Sequence, residues 1–199
     1  FKSYFVFGGR FYALYDNNEQ TKVSVKRISG LDGNSASYSS AQVLLDYPEA
    51  KKGFASGLRL RISDNESKMA ILLTDFNKKE KSNSIYMAVF DKEMQKLWEQ
   101  KPKFVFEKRY EMRITNLSLS DAGNLFFVRR LDRNIPVVGL DKDVDVRMFM
   151  ASDNEVGEVR IPFEKEETIS SIQYLKNNGK LYALAHAYQE LKKEPTHYY

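Results

Sequence analysis

The sequence predicts an all-β protein: a β-propeller, or part of one, built from four-stranded antiparallel blades that repeat about every 56–58 residues. Three observations carry this. Short runs alternate apolar and polar residues with period 2, as in Lys22-Val23-Ser24-Val25-Lys26 and Leu58-Arg59-Leu60-Arg61-Ile62, which is the pattern of a half-buried strand. Clusters such as Gly8-Gly9, Asp32-Gly33-Asn34, Asp121-Ala122-Gly123-Asn124 and Asn177-Asn178-Gly179 fall between these runs, where Gly and Asn tolerate the positive φ of tight hairpins. Finally, the chain resembles itself. Gly9-Arg10-Phe11-Tyr12-Ala13-Leu14 reads almost like Gly179-Lys180-Leu181-Tyr182-Ala183-Leu184, with further copies at residues 123–128 and 67–72.

The first apolar residue of each copy gives the markers Phe11, Met69, Leu125 and Leu181, at intervals of 58, 56 and 56 residues. These markers divide the chain into one domain of blades at residues 1–50, 54–106 and 110–163 and an incomplete fourth at 167–199. The first strands are expected at 2–7, 57–62, 112–119 and 170–175, and the second strands at 10–15, 68–74, 124–130 and 180–186. Third strands follow at 22–28, 84–90 and 144–151, and fourth strands at 39–45, 95–100 and 157–163. The second strand is apolar on both sides in three copies, as in Met69-Ala70-Ile71-Leu72-Leu73, which suits a central strand covered on both faces. The fourth unit is expected to stop after its second strand, with one helical turn at 188–193 before Pro195. A sandwich or barrel would use the same alternation, but neither explains the period. Thirteen or fourteen strands make three blades and half a fourth, fewer than most propeller rings contain. Further blades, or another protein chain, are therefore expected to cover the open faces of residues 1–45 and 170–199.

Composition bounds the partners. The 199 residues are 42% hydrophobic and 29% charged, with 31 Lys and Arg against 27 Asp and Glu. Both signs are interspersed, so no basic stripe follows a phosphate backbone and nucleic acid is excluded as a partner. Cysteine is absent, which removes disulfides, thiol nucleophiles and Cys-ligated metals. No apolar run approaches the roughly 20 residues of a membrane helix. The start at Phe1, without Met or a signal pattern, reads as a mature or truncated segment, with a removed signal peptide expected upstream.

Phe90-Asp91-Lys92-Glu93-Met94-Gln95-Lys96-Leu97-Trp98-Glu99, the turn at residues 121–126 and the Lys-rich ending with Pro195-Thr196-His197-Tyr198 together resemble a group of exported, uncharacterised propeller-like proteins of Bacteroidota. The resemblance covers about two-thirds of the chain, from residue 62 onward. It implies a periplasmic or outer-membrane-associated location and a strand following Pro195. It supplies no catalytic residue.

The search for chemistry finds little. His186 ends a strand and His197 sits in a polar tail, so no His-rich metal site is expected. No Gly-x-Ser-x-Gly elbow, P-loop or dinucleotide fingerprint is present. Asp141, Asp143 and Asp145 alternate as calcium ligands do, yet Val146 stands where the turn glycine belongs and Ser152 where the bidentate Glu belongs. A solvated loop that blunts a strand edge is the simpler reading. Trp98 reads as an anchor between blades, with an exposed aromatic for sugar or partner contact as the alternative. Arg59, Arg61, Arg113 and Gln173 fall on first strands, which lie next to a propeller axis, and are the candidate ligand-binding residues of a polar channel. The function expected from these features is a non-catalytic protein-interaction scaffold without cofactor or metal. The alternative is a carbohydrate-active or other hydrolytic propeller with Asp64, Asp121 and Glu111 as candidate acids and bases at the axis.

Overall fold

The computed structural model describes residues 3–17, 22–30, 37–47, 57–77, 82–105, 110–133, 144–160, 167–177, 180–189 and 195–198. These form four separate antiparallel sheets and not one continuous barrel. The first holds β1 (Ser3–Phe7), β2 (Arg10–Asn17) and β3 (Lys22–Ser29), with β4 (Ser37–Tyr38) and β5 (Gln42–Asp46) both paired to β3. The second holds β6 (Arg59–Ile62), β7 (Lys68–Asn77) and β8 (Ser82–Asp91), with β9 (Lys96–Gln100) and β10 (Lys103–Val105) both paired to β8. The third runs in the order β11 (Tyr110–Leu119), β12 (Leu125–Arg133), β13 (Val144–Ala151), β14 (Val156–Arg160). The fourth is β15 (Glu167–Asn177), β16 (Lys180–Gln189), β17 (Pro195–Tyr198). Among the described residues there is no α-helix.

Two expectations need correcting at the end of the chain. The fourth sheet has a third strand, β17, paired with β16 through His186–Tyr198 and Ala187–His197. The helical turn expected at 188–193 is not there at its start, because Tyr188 and Gln189 continue β16 opposite Thr168 and Glu167; residues 190–194 lie outside the described residues.

The outer strands of the first two sheets are each split, for different reasons. In the first, Ser39 sits between β4 and β5: its N–H donates to the Arg27 carbonyl at 2.9 Å and its Oγ accepts the Arg27 N–H at 2.9 Å, so a side chain stands in for a backbone partner. In the second, Pro102 has no N–H to give the ladder, yet its carbonyl still accepts the Ile85 N–H at 3.0 Å.

The chain divides into two compact units: Phe1–Glu107 with Leu119–Asn124 and Ala151–Val156, and Lys108–Ser118 with Leu125–Met150 and Gly157–Tyr199. In the first unit, one face of the first sheet packs on one face of the second. Register puts Phe5 opposite Tyr12, and Leu14 opposite Val25, so these side chains share a face with Phe7 and Val23. They meet Met69, Ile71 and Leu73 of β7 and Tyr86, Ala88 and Phe90 of β8 in one buried cluster. The other face of the second sheet is also buried, at Ala70, Leu72, Met87 and Val89. The second unit has its own buried side chains, including Ile114, Leu125, Phe127, Val146 and Phe149. Phe127 and Phe149 stack with ring centroids 5.0 Å apart, and the Arg129 guanidinium lies over Phe149 at 5.0 Å.

Two irregularities shift which residues reach the interior. In β5, Val23 faces Leu45 but Ser24 faces Val43, so Leu44 is the extra residue of a β-bulge. Both Leu44 and Leu45 are therefore completely buried while Val43 is 47% exposed. In β11, Asn116 has φ 53, a conformation Asn tolerates better than most residues. The buried positions on either side, Ile114 and then Leu117 and Leu119, fall out of step across it. Leu44→Ala should cost about 2–5 kcal/mol, whereas Val43→Ala should stay within about 0.5 kcal/mol, as read from urea unfolding midpoints at constant slope.

Candidate functional site

In an antiparallel meander, alternate turns fall at the same end of a sheet, so the turn joining first and second strands shares an end with the turn joining third and fourth. These turns follow one local grammar. In residues 91–95 the Met94 N–H donates to the Asp91 carbonyl and the Asp91 N–H to the Gln95 carbonyl, both at 3.0 Å. Residues 120–124 repeat this: the Gly123 N–H donates to the Ser120 carbonyl at 3.0 Å and the Ser120 N–H to the Asn124 carbonyl at 2.9 Å. Met94 and Gly123 occupy the left-handed position, with φ 63 and 91, as a type I turn followed by a bulge requires. The leading side chain secures each turn: Asp91 Oδ1 accepts the Gln95 N–H at 2.8 Å, and Ser120 Oγ accepts the Asn124 N–H at 2.9 Å. The longer turn at 63–68 also has a leading Ser, whose Oγ accepts the Lys68 N–H at 3.0 Å.

Hydrogen bonds tie these turns to a neighbouring sheet. Gln42 Nε2 at the start of β5 donates to the Met94 carbonyl at 2.7 Å. The Asn65 N–H donates to Asp121 Oδ1 at 3.2 Å, across 56 residues. Gln100 Nε2 donates to the Ser152 and Asp153 carbonyls at 3.3 and 3.1 Å. Trp98 Nε1 donates to the Gly123 carbonyl at 3.0 Å. A Cβ added at Gly123 would lie 3.9 Å from that indole nitrogen and 3.8 Å from Val89 Cγ1. The half-buried Trp98 is thus tied to a neighbouring turn, as an anchoring role requires. All of these residues belong to the first compact unit.

The predicted site residues are placed as follows. Arg59 and Arg61 lie on β6, an edge strand paired only with β7. Their side chains share one face, opposite the Leu58, Leu60 and Ile62 that pack on the core. Burial, then the charge of Arg61, lowers the Arg59 pKa below its ordinary value; Arg61 Nη1 donates to the Leu60 carbonyl at 2.9 Å. Arg113 is exposed on β11, and Gln173 stands opposite Leu184 in β15, its side chain outside the described residues. Of the candidate carboxylates, Asp64 and Asp121 are exposed in turns, and Glu111 is in β11 with its side chain not described. His186 and His197 lie in β16 and β17. Asp145 lies in β13, while Asp141 and Asp143 fall outside the described residues. Among the described residues, no group of three or more His, Cys, Asp or Glu could hold a metal ion, and no helix is long and apolar enough to cross a membrane.

Two arrangements escape a sequence reading. A shallow cleft of about 300 Å³ is lined by Gly9, Arg10, Phe11, Arg27, Ile28, Ser29 and Gly30. Its two arginines lie 17 residues apart and are brought together only by the register of β2 on β3. Glu99 forms ion pairs with Lys96 and Lys101. Burial pushes its carboxyl up, but hydrogen bonds from Lys101 and Lys96, with their charges, outweigh this and hold it below the ordinary glutamate value.

No protein-family model matches the chain, and no curated protein matches it. Solved structures do align. One variant of the Synechocystis apocarotenoid oxygenase matches with a TM-score of 0.48 at 13% identity, covering 97% of this chain and 40% of that one. The cobalt-substituted Synechocystis enzyme matches with a TM-score of 0.46 at 12% identity, with the same coverage of both chains. The chain thus spans about 40% of the length of the structures it matches. The expectation that the chain is not an enzyme is corrected here: the structures that align over nearly all of it are those of an oxygenase, and a non-catalytic role is not retained.

The Glu99 ion pairs generate a pH prediction. A carboxyl whose pKa is depressed on folding stabilises the fold fully above its unfolded value, and that contribution is lost as pH falls through the folded value. Glu99→Gln should therefore lower stability by at most about 1 kcal/mol at neutral pH. The difference from the parent should begin to shrink near the ordinary glutamate value of 4.5 and vanish only once pH has fallen through the lower folded value, as followed by urea unfolding across pH.

Proposed function

We propose that these sheets are blades of a β-propeller, and that the chain serves as an interaction scaffold whose hairpin turns form a rigid binding rim in the bacterial cell envelope. The observation that carries this reading is the set of hydrogen bonds that reach a turn from a residue about one repeat earlier, from Gln42 to Met94, Asn65 to Asp121 and Gln100 to Ser152. Each of these turns then has its position set by the preceding sheet as well as by its own strands, which gives a loop the fixed geometry that binding needs. The nearly constant marker spacing supports the same picture, since equal sequence steps go with equal structural steps. Arg59 and Arg61 on an edge strand would face the axis of such a ring, where their paired charge suits an anionic group.

Photo-crosslinking amino acids placed at Glu93 and Asp153, both exposed turn positions, test the binding rim in cells expressing the full-length protein. Cross-links to one protein species from both turns, recovered in the envelope fraction, and none from Val159, which is 61% exposed on an outer strand, are expected. No cross-link from the turns, equal yield from Val159, or recovery in the cytosol would contradict the proposal.

A further inference from the structure

The cleft of about 300 Å³ at the turn end of the first sheet holds two cations without a matching anion. Among the described residues no carboxylate lines it, and neither the Arg10 nor the Arg27 guanidinium forms an ion pair. Register explains the juxtaposition. Phe7 pairs with Arg10 and Tyr12 with Arg27, so both arginines lie on the face of Phe7 and Tyr12, which packs on the second sheet, and not on the outer face that bears Val6 and Phe11. Across β2 and β3 the two arginines stand diagonal to one another, within the reach of long side chains. Phe7 and Tyr12 are buried by the second sheet while both arginines are exposed, so the charged heads sit where the apolar contact ends. The same register places Ser29 opposite Arg10, which adds a hydroxyl donor on that face.

The backbone beneath these groups is fixed on both sides. Arg10 opens β2 directly after Gly8 and Gly9, whose φ of 55 and 69 make the two-residue hairpin loop. A Cβ added at Gly8 would lie 3.3 Å from the Lys92 carbonyl oxygen, so this hairpin sits against the 91–95 turn of the second sheet. Arg27 is held by its two backbone hydrogen bonds with Ser39. Groups placed before binding lose less freedom on binding.

Two guanidiniums suit a carboxylate or a phosphate. The cleft is shallow, whereas sites for small free molecules enclose most of the ligand surface; an anion held here needs a larger body to carry it and to make contacts elsewhere. The interspersed charge of the chain speaks against nucleic acid as that body. We infer that Arg10, Arg27 and Ser29 form a carboxylate site that takes an acidic side chain from a peptide segment of a partner protein. The inference deepens the proposed scaffold function and rests on it for the partner being a protein, while the pairing of the two arginines rests on register alone.

NMR of the isotope-labelled full-length chain tests it, read at the arginine Nε–H signals and at the Ser29 and Gly30 amides. The probe is a capped peptide with a central glutamate flanked by glycines, and its control is the same peptide with glutamine. Saturable shifts at Arg10 and Arg27 are expected with the glutamate peptide and not with the glutamine peptide. Arg10→Gln and Arg27→Gln should each weaken binding by about tenfold or more, whereas Lys26→Gln, on the opposite face of β3, should leave it unchanged. Should either arginine variant fail to fold, the shifts of the unsubstituted chain still decide the question. Equal shifts with the glutamine peptide, tighter binding of inorganic phosphate than of the glutamate peptide, or binding indifferent to both arginine substitutions would overturn the inference. The scaffold reading fails separately: peptide binding as described, with no cross-link from Glu93 or Asp153 in cells, would defeat that reading and leave the carboxylate site standing.

Discussion

Everything described in the first compact unit depends on one contact, the burial of the Phe5, Tyr12, Leu14, Val23 and Val25 face of the first sheet against the Met69, Ile71, Leu73 and Phe90 face of the second. A single antiparallel sheet can leave one face in water, but a sheet with two apolar faces cannot. The second sheet is of this second kind. Alternation along β7 sends Met69, Ile71 and Leu73 one way and Ala70 and Leu72 the other, and all five are fully buried. Apolar burial of this extent contributes roughly 25 cal/mol for each Å² removed from water, far more than the exposed ion pairs at Glu99 or between Arg147 and Glu158 add.

The hydrogen bonds onto the turns are secondary in energy but decisive for geometry. Each contributes about 1 kcal/mol net, yet they act where the hairpins would otherwise be held only by their own strands. Gln42, Trp98 and Gln100 all lie on outer strands, and each reaches a carbonyl of a turn later in the chain. Sliding one sheet over the next would break these bonds together, so the apolar contact supplies cohesion and the turns supply register.

Much of this was legible in the sequence because period and turn chemistry are local signals. The strand starts after Gly9, Ser67 and Gly179 are legible, since both the flanking alternation and the turn residues point to them. The rest depends on neighbours that a linear reading does not see. The bulge at Leu44 looks like a lapse in alternation until Val23 and Ser24 are placed opposite it. The split outer strands depend on Ser39 meeting Arg27 and on Pro102 meeting Ile85. Pro195 suggested the end of a helical turn, but β16 runs through Tyr188 and pairs with β17 instead. At the candidate site, the placement of Arg59 and Arg61 on one face follows from period 2 alone, while the cleft holding Arg10 and Arg27 needs the β2–β3 register.

The central claim is that the first two sheets are joined face to face by specific side-chain contacts. Tyr47, just after β5, and Tyr86 on β8 carry that contact as a ring pair with centroids 5.8 Å apart. A double-mutant cycle on Tyr47→Ala and Tyr86→Ala, read by equilibrium unfolding, measures it most directly. A coupling energy of about 0.5–1.5 kcal/mol is predicted. Additivity within about 0.3 kcal/mol would mean that the two rings do not meet, and would contradict the stacking of these sheets.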